Sequence, residues 1–241
     1  MPGYRNASPG YGLLVGVLPF CISAYSWGGP TDESLDKLEK RRTQLRTLYH
    51  VTKATSREGD IVRNTTTQTW EKRAGKTLKI RRSTKIKTLG KSGKPLSEVE
   101  TLTVVDGKYE WRQMPVGDQT MVFKSKVSRQ GALNDIRATL RSGKGRIKGH
   151  ENIHREPCLV LEVSGGNQGD RFKVTYWISE SYGVLLKSVN TRADRTRTGM
   201  DTTEFTVSAA VEDAKFVYTP PEGATVLDTE AIGKKGGGSK P

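Results

Sequence analysis

Cysteine is scarce in this chain: only two of its 241 residues are cysteines. Two cysteines cannot build the disulfide framework of a small secreted domain, and no apolar run approaches the ~20 residues of a membrane-spanning helix. Hydrophobic residues make up only 34%, yet four Trp, eight Tyr and five Phe are too many for a disordered chain. We therefore expect one folded domain with a polar surface. If cleavage of an N-terminal signal removes Cys21, Cys158, which precedes an apolar run, is expected to be a lone buried thiol.

Acidic residues are also in the minority, since 26 Asp and Glu stand against 40 Lys and Arg, for a net charge of +14. The stretch Lys72–Ser97 holds ten basic residues and no acid, and Lys124–Lys148 holds eight against Asp135 alone. Such asymmetry attracts polyanions. We predict binding to anionic lipid head groups or acidic polysaccharide, and a merely solvated face is the alternative. The predicted contacts are Lys79, Arg81, Arg82, Lys85 and Lys87. No nucleic-acid motif is recognisable, so no nucleic-acid partner is expected.

The N-terminus has the three parts of a secretory signal. Arg5 supplies a positive charge, the segment Leu13–Ile22 is a short apolar core, and Ala24 and Ser26 are the small residues of a cleavage site. We therefore predict a signal peptide over residues 1–26 and a periplasmic mature protein. A buried strand or a short anchor helix is the alternative interpretation of the same apolar segment.

The hydrophobic pattern predicts the order helix, strands, helix, strands. Leu35, Leu38, Leu45 and Leu48 lie on one stripe of an amphipathic helix over residues 32–49. Thr-rich, β-branched segments divided by glycines then predict an antiparallel meander, because Asp-Gly and related pairs favour hairpin turns. A second helix is predicted over residues 130–140, and later strands over residues 158–163, 171–178, 184–189 and 202–207. The Gly- and Lys-rich residues 232–241 are typical of a flexible tail.

Three segments form an ordered pattern. Trp70-Glu-Lys-Arg73 is an aromatic-x-Lys-Arg segment, and Val105-Asp-Gly-Lys-Tyr-Glu-Trp111, with Pro115 and Gln119 after it, is an Asp-Gly-Lys hairpin. Asp213–Gly223, followed by Thr225–Asp228, is a closing strand with a Pro-Pro-x-Gly turn. In this order, behind a signal segment, they resemble the periplasmic lipoprotein carrier family, LolA with its LolB and RseB-type relatives. The resemblance covers about residues 32–228.

The resemblance implies a mainly β fold with some α structure: a curved antiparallel sheet forming an incomplete barrel, covered by the N-terminal amphipathic helix and the short middle helix. One domain over residues 27–231 would contain it. It also implies an apolar interior for acyl chains, and Arg73 matches the arginine that helps to hold the lid closed without ligand. No catalytic residue and no cofactor are implied.

Alternation along the strands predicts which residues contact an acyl chain. Leu78, Ile80 and Ile86 fall on one face of their strand, because successive side chains of a strand point to opposite sides. A filled core is the alternative for each residue of the set. The full predicted set is Leu78, Ile80, Ile86, Leu102, Val104, Trp111, Met121, Phe123, Tyr176, Ile178 and Phe205.

The expected function is that of an exported carrier of lipoprotein acyl chains or phospholipid, in lipoprotein sorting or transport to the outer membrane, with an envelope protein as acceptor. An envelope sensor, or a protein that binds anionic lipid or polysaccharide on the same fold, is the alternative.

His150-Glu151-Asn-Ile-His154 spells His-Glu-x-x-His, the signature of zinc metallopeptidases, which requires a helix to bring both imidazoles to one face. Gly149 precedes this segment and Pro157 follows it, which disfavours a helix. We therefore predict a turn and an edge strand with solvated histidines. No metal site and no enzymatic activity are expected.

Overall fold

The computed structural model describes residues 30–127, 133–141, 143–167, 170–193 and 196–230. The predicted signal peptide and the predicted basic tail lie outside the described residues.

Two α-helices, one short 3₁₀ helix (Asp213–Phe216) and twelve strands are present in the described part of the chain. The helices are α1 (Pro30–Gln44) and α2 (Asn134–Arg141). The strands are β1 (Thr47–Glu58), β2 (Ile61–Ala74), β3 (Thr77–Leu89), β4 (Pro95–Val105), β5 (Tyr109–Val116), β6 (Gln119–Lys126), β7 (Gly143–Ile153), β8 (Glu156–Gly165), β9 (Phe172–Ser179), β10 (Leu185–Arg192), β11 (Arg197–Val207) and β12 (Thr225–Asp228).

All these strands form one sheet, in the order β12-β6-β5-β4-β3-β2-β1-β11-β10-β9-β8-β7. Neighbouring strands are antiparallel except for β12, which joins β6 in parallel. The two edges, β12 and β7, are not paired with each other, so the sheet is curved but open. This confirms the predicted fold class of a mainly β incomplete barrel with two helices.

The two helices pack on one face of the sheet, which we call the inner face; the opposite side is the outer face. Their largest buried cluster joins both helices to β8 and β9. Its buried residues are Leu35, Leu38, Leu133, Ile136, Leu140, Leu159, Leu161, Val163, Val174, Tyr176 and Ile178. Because directly paired residues of neighbouring strands share a face, the strand register carries this division across the sheet.

The predicted helix over residues 32–49 is wrong at its C-terminal end, because α1 ends at Gln44 and Leu48 lies on β1. The sequence from Thr47 onward is β-branched and aromatic, and it pairs with β2 on one side and β11 on the other. Strand pairing on both sides outweighs the helical spacing of two leucines. The second helix, predicted over residues 130–140, is α2, and residues 128–132 lie outside the described part.

The Asp-Gly-Lys segment forms the turn between β4 and β5. Gly107 has a φ of +103°, and a Cβ there would lie 2.6 Å from a methyl group of β3, so only glycine fits. Asp106 Oδ1 accepts backbone N–H bonds from Lys108 at 2.8 Å and Tyr109 at 2.7 Å. Its Oδ2 accepts the indole N–H of Trp111 at 3.2 Å. This segment therefore sets the turn and orients one aromatic side chain.

The third segment crosses the outer face as an irregular strap, residues 208–224, before it forms β12. Lys79 Nζ donates to Asp213 at 2.8 Å, and Lys215 Nζ lies 3.8 Å from the centroid of the Trp70 ring. Phe216 is fully buried, at 1% exposure. The strap therefore covers part of the outer face, on which no α-helix packs in the described part of the chain, although Asp213–Phe216 of the strap form one turn of 3₁₀ helix.

The far end of the strap packs on β5. The rings of Tyr218 and Trp111 lie 5.4 Å apart, and the Tyr218 hydroxyl donates to Gln113 Oε1 at 3.0 Å. Val104 and Val122 are fully buried on the outer face of the same region. The outer face thus has a small core of its own.

Cys158 is buried and forms no disulfide within the described residues. Burial raises the pKa of its thiol to about 11, so the thiol is protonated at neutral pH. The predicted burial of the Cys158 thiol is confirmed, whereas Cys21 lies outside the described residues.

A buried ion pair attaches α1 to the sheet. The Arg42 guanidinium donates to the Glu71 carboxylate of β2, and the two side chains are only 8% and 10% exposed. The turn before β10 also approaches α1 closely, since a Cβ on Gly183 would clash with the Leu38 carbonyl oxygen. The buried ion pair and the close approach at Gly183 therefore fix the position of α1 together with the apolar packing of Leu35 and Leu38.

Glu71→Gln is expected to lower the free energy of unfolding by about 3–5 kcal/mol, because it leaves the buried Arg42 charge without its counter-ion. Urea denaturation followed by Trp fluorescence measures the change. Glu58→Gln, which breaks the exposed pair with Arg63, is the matched control and should cost less than about 1 kcal/mol. Replacing both buried partners, Arg42→Met with Glu71→Leu, should restore most of the loss; equal losses in Glu71→Gln and the control would contradict this role.

Candidate functional site

The inner face of β1–β6 extends beyond the part of the sheet on which the helices form their core. Here the register places Ile80 opposite Val105, and Ile86 opposite Val99. Leu78, Ile80 and Ile86 all lie on this face and are half-buried. The alternation predicted for β3 is therefore present, with three apolar side chains directed to one side.

Two further predicted residues share this face at the β6 edge. Phe123 pairs with Arg112, and Met121 pairs with Met114, in continuous register with β4 and β3. Both are half-buried. The structure thus brings Met121 and Phe123 onto the same inner face as the three apolar residues of β3.

A row of threonines crosses the middle of this surface. The register pairs residues of five neighbouring strands in one line. These residues are Thr202, Thr52, Thr67, Thr84 and Thr101. The hydroxyls of Thr67 and Thr84 are 3.2 Å apart and share a hydrogen bond. Because threonine offers a methyl group beside its hydroxyl, the surface is amphiphilic rather than uniformly apolar.

We call the inner face of β1–β6 the concave surface. Its charged groups lie on both sides of the threonine row: the Glu58–Arg63 pair lies on one side, and Glu71, Arg82, Glu110 and Arg112 lie on the other. Arg112 Nε donates to Glu110 Oε1 at 2.5 Å, and Arg82 lies on the same side of β3 as Ile80. The Arg42–Glu71 pair lies beside Ile80, since Glu71 is the direct partner of Ile80. The C-terminal end of α1 therefore closes one end of the concave surface.

Three other predicted contacts lie on the outer face. Ile80 pairs with Val105, so the neighbouring Val104 faces the other way, together with its partner Trp111. Leu102 shares that side. Val104 is fully buried and Trp111 packs against Tyr218 of the strap. The predicted set is therefore divided between the two faces, because alternation within one strand does not show how two strands are aligned.

The last three predicted contacts lie on the other half of the sheet. Tyr176 and Ile178 belong to the core under the helices, where the Tyr176 hydroxyl donates to Thr139 Oγ1 at 3.1 Å. Phe205 packs in a second cluster, with its ring 5.4 Å from that of Tyr182. The structure does not bring these three residues together with Leu78, Ile80 and Ile86.

Arg73 lies near the end of α1, because its backbone N–H donates to the Arg46 carbonyl at 2.7 Å. Its Nε is buried and has no hydrogen-bond partner among the described residues. The ion pair between α1 and the sheet is made instead by Arg42, a residue that helical spacing places largely outside the buried stripe. A signal was available in the sequence, since Glu71 is the acidic residue within the basic Trp70–Arg73 segment.

The predicted anion-binding residues of β3 are also divided. Lys79, Arg81, Lys85 and Lys87 lie on the outer face, and Arg82 lies on the inner face. Three of them have partners within the protein. Lys79 bonds to Asp213 at 2.8 Å, Lys85 bonds to Glu98 at 2.5 Å, and Arg81 donates to the backbone carbonyl of Lys215 at 3.3 Å. Local acids and the strap therefore neutralise or occupy much of this basic strand.

The His-Glu-x-x-His segment lies on the edge strand β7 and the turn that ends it. His154 is in that turn, with a φ of +52°. His150 Nδ1 is 2.7 Å from Glu180 Oε1, whereas Glu151 accepts the Trp177 indole N–H at 2.7 Å. No group of three or more metal-binding side chains occurs among the described residues. The strand and turn do not provide the helical geometry that the zinc signature requires.

Within the described ranges, neither helix combines the length and the apolar character needed to cross a membrane.

Comparison with protein-family models gives no match, and comparison with curated protein sequences gives none either. Solved structures do match. A chain of the Pseudomonas aeruginosa MucA/MucB complex has a TM-score of 0.50 at 14% identity, covering 79% of this chain and 62% of that chain. An uncharacterized conserved protein from Thermus thermophilus has a TM-score of 0.50 at 15% identity, covering 83% of this chain and 99% of that chain.

A LolA superfamily protein from Nitrosomonas europaea also matches, with a TM-score of 0.30 at 12% identity, covering 78% of this chain and 97% of that chain. This chain spans less than two thirds of the matched chain of the MucA/MucB complex. The two structures with a TM-score of 0.50 confirm the fold predicted from the three sequence segments, and at these identities the likeness concerns the fold alone.

His50 lies on the inner face of β1, beside the Arg42–Glu71 pair. Burial, first of all, lowers its pKa to about 4; Glu71 raises the pKa, and Arg42 and Arg82 lower it further. The side chain is therefore neutral in the folded protein at pH 7. Since the folded-state pKa lies below the ordinary value of 6.5, the stability that His50 contributes is present above pH 6.5 and is lost as the pH falls toward 4.

His50→Phe is expected to reduce this pH dependence. The wild-type protein should lose up to about 3 kcal/mol of folding free energy from His50 between pH 6.5 and 4, and the variant should lose less over the same interval. Urea denaturation at half-unit pH steps measures both curves. Parallel curves for the two proteins would show that His50 does not titrate in this way.

Proposed function

We propose that this protein is an exported carrier that binds acyl chains of lipoprotein or phospholipid on its concave surface, in lipoprotein sorting or transport to the outer membrane. The observation that carries the proposal is the placement of Leu78, Ile80, Ile86, Met121 and Phe123. These five side chains share one concave face, are half-buried, and lie outside the core that the helices form.

The energetics support an acyl ligand. Each buried methylene group is worth about 0.8 kcal/mol, so even half of a sixteen-carbon chain would contribute about 6 kcal/mol. The basic residues of β3 and the charged groups of the concave surface could not supply a binding free energy of that size to an acyl chain. The threonine row adds methyl contacts for the chain and hydroxyls for the polar part of an amphiphile. A surface of this kind suits a ligand that is bound reversibly and passed on.

Arg73 fits the proposed role in holding a lid. Its buried, unpartnered Nε and its backbone bond to Arg46 place it at the end of α1. The Arg42–Glu71 pair holds the same helix on the sheet. We propose that a ligand entering beside Ile80 displaces the end of α1, and that these two arginines oppose the movement.

A sensor is the second candidate. The solved complex of MucA with MucB shows that a protein of this fold binds another protein. A carrier would transfer its lipid to acceptor vesicles, whereas a sensor would keep the lipid and change its affinity for a protein partner. Transfer of a fluorescent fatty acid from the loaded protein to acceptor vesicles distinguishes the two.

The proposed binding of β3 to anionic surfaces involves the two of its predicted basic residues whose side chains form neither an ion pair nor a hydrogen bond within the described structure. Lys87 is exposed on the outer face and Arg82 is exposed on the inner face. Fewer residues are therefore proposed to contact the anionic surface than were predicted from the sequence, because Lys79, Arg81 and Lys85 contact the strap and β4.

Ile86→Asp is expected to weaken binding of palmitate by about tenfold or more, because a carboxylate on the concave surface would repel and hydrate the chain, and tenfold corresponds to only about 1.4 kcal/mol. Displacement of a fluorescent fatty acid measures the affinity. Leu96→Asp is the matched control, since Leu96 is 62% exposed, and its affinity should remain that of the wild type.

Trp111→Asp should behave differently from Ile86→Asp. Trp111 packs against the strap on the outer face, so its loss is expected to lower stability while leaving palmitate affinity nearly unchanged. Palmitate affinity that falls in Trp111→Asp, but not in Ile86→Asp, would place the acyl chain on the outer face and contradict the proposed site.

A further inference from the structure

A second concavity lies on the outer face, at the end of the sheet where β1 and β2 meet in a hairpin and β11 begins. It is an open cleft of about 680 Å³. Its lining residues are Thr55, Arg57, Gly59, Val62, Thr196, Arg197 and Gly199. The volume lies in the range of sites for small molecules, whereas the concave surface described above lies on the other side of the sheet.

The register brings two arginines side by side in this cleft. Ser56 of β1 pairs with Thr198 of β11, so Arg57 and Arg197, the next residues outward, follow on neighbouring strands and share the outer face. On the other neighbouring strand, β2, Val62 is the direct partner of Arg57. The cleft therefore has an aliphatic side and two guanidinium groups across adjacent strands.

Like charges on neighbouring strands destabilise a sheet unless something compensates them. Among the described residues, neither Arg57 nor Arg197 has a carboxylate partner: Glu58 pairs with Arg63 at 3.2 Å, and Asp60 pairs with Lys91 at 3.7 Å. The nearby acids of the β1–β2 hairpin are therefore engaged elsewhere. Two guanidinium groups in such an arrangement can bind one oxyanion between them, each with two parallel N–H donors.

The floor of the cleft is kept open by a glycine. Gly199 pairs directly with Thr55, and a Cβ added at Gly199 would meet no heavy atom within 4 Å. Glycine in the middle of a strand weakens the strand, and such positions occur where a ligand or another backbone approaches closely. The missing side chain leaves space directly beside the two arginines.

We propose that this cleft binds a phosphate group, held between the guanidinium groups of Arg57 and Arg197 over the floor formed by Thr55 and Gly199. The phosphate is either the head group of an anionic phospholipid or a free phosphate ester. This site is independent of the acyl-binding surface, because the two lie on opposite faces of the sheet.

The test combines two probes and three variants of the full chain. Inorganic phosphate is titrated by isothermal calorimetry, and vesicles of phosphatidylglycerol in phosphatidylcholine are titrated in a flotation assay, both at low ionic strength. Arg57→Gln with Arg197→Gln removes the guanidinium pair. Lys76→Gln with Arg155→Gln is the matched control, since it removes the same charge from two exposed turn residues. Gly199→Val fills the floor without changing the charge.

The expected result is saturable binding of at least one probe that weakens about tenfold or more in the arginine double variant and in Gly199→Val, while the control binds like the wild type. Binding of vesicles alone identifies a lipid head group, and binding of inorganic phosphate that competes with the vesicles shows that free phosphate uses the same site.

Equal losses in the arginine variant and the control would mean that net charge alone attracts the anion, which overturns the proposal. The proposal would also be overturned if neither probe bound, or if Gly199→Val bound the probe as strongly as the wild type. Palmitate affinity, measured on the same variants, should stay unchanged, so that failure of this site is distinguishable from failure of the acyl site.

Discussion

Every part of this structure depends on the alternation of side chains across one open, twelve-stranded sheet. An antiparallel sheet of this size has two faces, and each must be covered or remain in contact with water. The protein covers them with different devices: two helices on the inner face over β8 and β9, and the irregular strap on the outer face over β2–β5. What neither device covers is a stretch of inner face with half-buried apolar residues and a stretch of outer face with an arginine cleft.

The two coverings are held by charge as well as by apolar packing. The Arg42–Glu71 pair fixes α1 on the sheet at the end of the concave surface, and Lys79 with Asp213 fixes the strap on the opposite side. A buried ion pair is a weak source of net stability but is costly to break on one side only. Such a contact gives α1 one defined position on the sheet. The neutral, buried His50 beside this pair couples the same region to pH.

The strong positive charge of the chain is distributed more locally than its composition suggests. Lys85 lies between Glu98 and Glu100 of the next strand, and Glu162 is held by Lys173 and Arg146. These contacts lower the pKa of Glu162 to about 2, with the Lys173 hydrogen bond the larger cause. Basic residues that look like one polyanion-binding run in the sequence therefore have separate partners, with Lys85 paired to the acids of β4 and Lys79 paired to Asp213 of the strap. The arginines of the outer cleft are scattered in the sequence, at positions 57 and 197, and become neighbours only through the β1–β11 pairing.

The sequence alone determined the fold class, the hairpin turns, the side of β3 on which Leu78, Ile80 and Ile86 lie, and the resemblance carried by three short segments. These are local properties: alternation, turn chemistry and β-branched composition act within a few residues. Only the tertiary structure decided which strands lie side by side and in what register. That is why Trp111 and Val104 lie on the face opposite Ile80. The packing of α1 on the sheet likewise decided that Arg42 of α1 forms the ion pair with Glu71 of β2. A shift of one residue in register exchanges the two faces of a strand, and no pattern within a single strand records it.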